Sequence, residues 1–149
     1  MILPDTNVWL ALCLSKHVHH QTARDWLAQQ STAESIAFCR STQQSFLRLL
    51  TTEAFMGAYG IAPLSNLAAW NVYREFRADE RIRFLAEPTG LERAWESLAA
   101  GTKASPKVWM DAYLAAFALC SASRMVTLDK AFSRYKGLDL LVLGAEPGG

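Results

Sequence analysis

The chain has 149 residues, 51% of them hydrophobic and 19% charged, with a formal net charge of +1. That is the size of one compact domain able to bury most of its unfolded surface, and the near-neutral total excludes long-range attraction to nucleic acid, leaving only local patches. Cys13, Cys39 and Cys120 stand far apart without a Cys-x-x-Cys pair, which excludes zinc-ligand spacing and suits buried thiols in a reducing cytoplasm, and no apolar run reaches the roughly 20 residues of a membrane span. The expectation is a soluble, cytoplasmic protein with no membrane association, one domain over 1–145 and a frayed tail over 146–149.

In chain order, the apolar start Met1-Ile2-Leu3 reads as a strand that ends in an acid, Asp5, before a helix over Val8 to Leu14. That helix is apolar all round, which predicts burial by the sheet on one side and by a neighbouring helix or a second subunit on the other. Asp5 reads either as a helix cap or as a functional group, with Thr6 and Asn7 better placed to cap. A second helix spans His19 to Gln30 around Ala23, Trp26 and Leu27. The tract His17, His19, His20 has no acid or cysteine at ligand spacing, so it reads as surface rather than a metal site.

Ile36 to Cys39 is a second strand and Thr42 to Thr51 a third helix, with Gln43 and Gln44 in its first turn. Glu53 to Pro63, with Gly57, Gly60 and Pro63 among Phe55, Met56 and Tyr59, reads as a loop with apolar anchors. A helix over Ser65 to Ala78, a strand over Ile82 to Leu85 and a helix over Leu91 to Ala99 follow. Ser105-Pro106 predicts an N-cap and first helical position for a helix over Lys107 to Ala122, which carries one early acid, Asp111, among apolar neighbours. Arg124 to Leu128 is a strand ending in Asp129, and Leu140 to Leu143 is a last strand.

Five short strands separated by helices predict a mainly parallel sheet covered on both faces, an α/β/α sandwich. Right-handed crossovers place every strand's carboxyl end on one edge. Asp5 and Asp129 end two strands, and Asp111 starts a helix that should leave from the same edge. If the first and fourth strands are neighbours, the three acids meet at a switch point. Clustered carboxylates repel and need compensation, and hard Mg²⁺ or Mn²⁺ suits an all-oxygen set. Metal-assisted phosphodiester hydrolysis is the reaction class this suggests. A lone acid in the apolar company of Asp111 also costs free energy unless something pairs with it.

Asp5-Thr6-Asn7, Asp111-Ala112-Tyr113-Leu114-Ala115-Ala116-Phe117-Ala118 and Thr127-Leu128-Asp129-Lys130-Ala131-Phe132, in this order and spacing, resemble a PIN-domain ribonuclease of the VapC toxin type over nearly the whole chain. The resemblance implies a PIN-like fold, a Mg²⁺- or Mn²⁺-dependent endoribonuclease, a homodimer and a cognate VapB-like antitoxin. It puts Asp5, Asp111 and Asp129 on the family's metal-ligand positions, with Asn7 and Thr127 on polar positions beside them. Where the family's third helix offers a glutamate, this chain has Thr42-Gln43-Gln44. Gln43, or Gln44 if the register slips by one, brings no negative charge there, which implies weaker metal affinity without loss of activity. Candidate RNA contacts are Arg40, Arg48, Lys103, Lys107 and Lys130, with Tyr59 or Trp109 available to stack a base, although Trp109 reads first as core. The rival classes are a phosphotransfer receiver, for which Asp5-Thr6-Asn7 lacks a second acid, and a catalytically silent RNA- or protein-binding module.

Overall fold

The computed structural model describes residues 1–145, so the tail expected over 146–149 lies outside the described residues. The strands are β1 (Ile2–Pro4), β2 (Ile36–Phe38), β3 (Ile82–Phe84), β4 (Arg124–Thr127) and β5 (Leu140–Val142). The helices are α1 (Thr6–Cys13), α2 (His20–Gln29), α3 (Arg40–Leu50), α4 (Glu53–Gly57), α5 (Asn66–Ala78), α6 (Leu91–Ala99) and α7 (Val108–Cys120), with a 3₁₀ turn over Lys130–Arg134 between β4 and β5.

All strand pairs are parallel, in the order β3-β2-β1-β4-β5. The chain winds outward from β1 through β2 and β3, then returns to the other side of β1 with β4. The expected adjacency of the first and fourth strands is therefore present, with Leu3 opposite Met125 and Pro4 opposite Val126. Strand order reverses between β1 and β4, and in open parallel sheets ligands bind beyond the carboxyl ends of strands at such a reversal.

Period-two alternation splits each strand between two cores. Ile2, Ile36, Phe38 and Val126 pack with α1, α2, α3 and α5, where Trp9 stacks on Phe38 with ring centroids 3.7 Å apart. Leu3 and Met125 pack with α6 and α7. In α7 the fully buried Ala112, Ala115 and Ala116 have no bulk to hold the helix off the sheet. Burial on both faces explains why β1 and β2 read as continuous apolar runs.

One expectation is met and three are corrected. The apolar α1 is covered within the chain by α2 and α3, so of the two covers expected for its outer side the neighbouring helix is the one found. The loop expected from Glu53 contains the single turn α4, whose Met56 side chain is buried and holds it against the core. Helix α7 starts at Val108, because Ser105 O accepts from Val108 N at 3.1 Å and closes an isolated turn before the helix proper. Similarly, α3 begins at Arg40, two residues early, because the Thr42 hydroxyl reaches back 3.0 Å to accept from Cys39 N in a capping box.

Candidate active site at the carboxyl edge of the sheet

The site grows from the register of β1 on β4. Asp5 follows β1 directly and its N–H donates to Val126 O at 2.8 Å, which fixes its backbone beside Thr127. Thr127 is fully buried, and its hydroxyl donates to Asp5 Oδ2 at 2.9 Å. The same oxygen accepts from Asp129 N at 3.0 Å and from Asn7 Nδ2 at 3.3 Å. With both lone pairs used, the hydroxyl has one direction for its proton, towards Asp5. Asn7 completes the tie by accepting from Leu128 N at 3.2 Å. Two segments more than 100 positions apart are thus locked together by side chains that were expected there.

Asp5 is also the N-cap of α1, with Oδ1 accepting from Thr6 N at 2.7 Å. The expectation that Thr6 and Asn7 would do the capping is corrected: one carboxylate oxygen caps, and the other faces Thr127. Burial pushes the Asp5 carboxyl up to about 6, opposed by the bonds from Thr127 and Thr6 and assisted by the charges of Asp111 and Asp129. Asp111, in the first turn of α7, is also raised by burial and by Asp129, against the pull of Arg134. Asp129 is exposed and caps the 3₁₀ turn, its Oδ1 accepting from Ala131 N at 2.9 Å.

The three acids therefore stand near enough to act on one another's charge. Among the described residues, however, no three acid, histidine or cysteine side chains close to the spacing of a coordination sphere. Asp111 is instead held by Arg134, whose guanidinium donates to its Oδ2 at 3.3 Å. Sequence reasoning missed this cation, which lies on a 3₁₀ turn where no helical spacing rule points to a partner. As a donor set, carboxylate oxygens alone fit a hard divalent ion, which would replace Arg134 as counter-charge.

Of the two glutamines, Gln43 is buried and Gln44 exposed. Gln43 Oε1 accepts from Arg40 Nη1, so its amide is already engaged. Arg40 itself lies over the Phe84 ring, 4.4 Å from its centroid. Lys130 is exposed next to Asp129, and Lys107 precedes the first turn of α7; Lys103 is exposed in the segment before it. Arg48 is not brought to the acids: it sits in the last turn of α3 and lines a hollow with Thr51 and Trp70. Tyr59 stacks on His17, and His20 bonds Ala11 O through Nδ1 at 2.7 Å, so the histidine tract serves packing. Trp109 is 51% exposed, contrary to the core role expected first.

A five-stranded parallel sheet with carboxylates gathered at its switch point defines the class. The family model described as the PIN domain matches residues 2–138, and the chain belongs to that family. Within it the relatives are VapC ribonucleases: the chain is 53% identical over 144 residues to Ribonuclease VapC41 of Mycobacterium tuberculosis, covering 96% of this chain and 99% of that protein. It is 33% identical to Ribonuclease VapC29 of the same organism, over 95% of each. Among solved structures, Mycobacterium tuberculosis VapC20, described as a sarcin-ricin loop cleaving toxin, superimposes with a TM-score of 0.65 at 19% identity, over 93% of this chain and 98% of that one. VapBC2 from Rickettsia felis, bound to a promoter DNA fragment, gives 0.66 at 15% identity over 96% and 99%. These two similarities speak for the fold. Among the described residues no helix is long and apolar enough to cross a membrane.

Proposed function

We propose that this VapC-family endoribonuclease hydrolyses RNA phosphodiester bonds with a Mg²⁺ or Mn²⁺ ion held by Asp5, Asp111 and Asp129. In the same reading it is a cytoplasmic homodimer neutralised by a VapB-like antitoxin, as the naming of its structural relatives as VapBC pairs supports. The observation that carries the reading is the mutual charge of three acids at one sheet edge, in a chain 53% identical to a ribonuclease.

When bound, the ion supplies the positive charge that lowers the pKa of a water and offsets charge developing on the phosphate. The chain's own residues do the positioning. Thr127 keeps Asp5 Oδ2 aimed as an acceptor, and Asn7 pins the end of β4 so that Asp129 cannot drift. Arg134 offsets part of the charge of Asp111, whose carboxyl nevertheless stays raised by burial and by Asp129. Lys107 and Lys130 lie near Asp111 and Asp129 in the chain and Arg40 opens α3 at the carboxyl end of β2, so these three are the cations offered to RNA phosphates, with Lys103 more distant; Arg48 is left out.

The test is purified protein on labelled structured RNA with Mg²⁺, with chelator, and as Asp5→Asn. Cleavage should require both the metal and Asp5. Cleavage that survives both changes would overturn the metal mechanism, and no cleavage of any RNA would favour the silent binding module.

A further inference from the structure

A cleft of about 330 Å³ opens between the start of α3, the β3–α6 connection and the first turns of α6 and α7. Its walls include Arg40, Gln44, Glu87, Trp95, Trp109 and Tyr113. Met110, 53% exposed, also borders it and is the immediate neighbour of Asp111. We propose that this cleft seats an unpaired guanine of the RNA close to the cut, with Trp109 as the stacking face and Glu87 as the reader of the base edge. The inference rests on the RNA-cleaving reading of the acids.

The aromatic wall is braced. Trp95 Nε1 donates to Trp109 O at 2.8 Å, and the two indoles meet edge to face with centroids 6.1 Å apart. Tyr113 meets Trp95 edge to face at 5.5 Å. Trp109 and Tyr113, four residues apart, share one side of α7. Asp111, midway between them in sequence, points to another side, and Met110 forms the ridge between. A strand crossing this turn of the helix puts a phosphate at the acids and a neighbouring base in the cleft. A half-exposed tryptophan held rigid beside a nucleolytic site is a platform for base stacking, the means by which single-stranded RNA is recognised.

The edge contact follows from charge. Glu87 Oε1 accepts from the Tyr113 hydroxyl at 2.8 Å, and burial together with this bond holds the phenol well above its ordinary range, so it stays a donor. No cation pairs with Glu87 among the described residues. A carboxylate only accepts hydrogen bonds, and it repels phosphate, so a base that meets it must bring donors. Guanine alone among the four bases presents two adjacent donors, N1–H and N2–H, on its Watson–Crick edge, matching the two carboxylate oxygens. Arg40, held over Phe84 at the rim, supplies the charge for the adjoining phosphate.

Titration of the protein with GMP, AMP, CMP and UMP, followed by tryptophan fluorescence, tests this without any cleavage step. GMP should bind at least tenfold more tightly than UMP. Glu87→Gln should shrink that gap below threefold with the far-ultraviolet circular dichroism unchanged, and Trp109→Ala should weaken all four nucleotides at least tenfold while Trp109→Phe restores part of the loss. Equal quenching by all four, or a preference that survives Glu87→Gln, overturns the proposal even if RNA is still cut. A guanine preference in a protein that cuts no RNA leaves the base pocket standing and removes the nuclease reading. If no nucleotide quenches and a bound antitoxin shields Trp109 from acrylamide, the cleft docks protein and the proposal is wrong.

Discussion

The two edges of the sheet treat charge in opposite ways. At the amino edge, acids and bases are matched: Asp79 with Arg81 at 2.7 Å, Arg124 with Asp139 at 3.1 Å, and the Met1 ammonium with Glu34 at 4.0 Å. Arg81 also donates to the carbonyls of Leu27 and Gln30 at 3.0 and 3.1 Å, closing the end of α2 onto β3. At the carboxyl edge Asp5, Asp111 and Asp129 act on one another with a single arginine bridging one of them. One edge therefore matches its charges pair by pair, and the other gathers three acids with one arginine on one of them.

The largest effect that separates the edges is on turnover. Asp111→Asn and Asp129→Asn should each lower RNA cleavage by about 100-fold or more, since each removes a charge from the proposed metal site, without lowering the unfolding temperature. A variant that keeps a third of the wild-type rate would remove its acid from the site. Arg81→Ala should do the reverse, costing about 2–3 kcal/mol in urea unfolding because it strands a charged partner and two carbonyls, while leaving the rate per folded molecule unchanged.

Acidification should distinguish the edges by sign. The Asp5 carboxyl titrates in the folded chain at about 6, above its ordinary 3.8. The folded state thus binds this proton more tightly, so metal-free protein gains stability at this site as pH falls from 7 through 6 towards 4, on the order of 2 kcal/mol. Asp79 is held below the ordinary range by its bonds from Arg81, so its contribution is present above the ordinary carboxylate pKa and is lost as pH falls through its folded value. Unfolding measured from pH 3 to 8 should lose the first slope in Asp5→Asn and the second in Asp79→Asn; a shared slope would contradict the contrast. The smallest effect belongs to Arg124→Ala, below about 0.5 kcal/mol, because that pair is more than half exposed.

Much of this was legible in the sequence. Apolar runs buried on both faces mark the strands, and an acid at the end of the first and fourth pointed to the switch point before the register was known. Asp5 was read as cap or ligand; it caps α1 through Oδ1 while Oδ2 accepts from Thr127, a division that residue type does not encode. Trp109 was read as core because its helix is apolar, yet it precedes the buried alanines and faces outward. Arg134 and Glu87 gave no signal, since their partners, Asp111 and Tyr113, are 23 and 26 positions away and only the tertiary fold joins them. The early start of α3 depends on a hydroxyl reaching back to Cys39, and the turn at Glu53 on burial of Met56. Both are decided by packing more than by propensity.

The divalent ion proposed for the carboxyl edge can be counted without any RNA. Titration of the protein with Mn²⁺, followed by loss of the free-ion electron paramagnetic resonance signal, reads this directly. Wild-type protein should bind Mn²⁺, and Asp5→Asn and Asp111→Asn should each weaken it at least tenfold. Undiminished binding in both variants, or no binding by wild-type protein at millimolar Mn²⁺, would contradict the account.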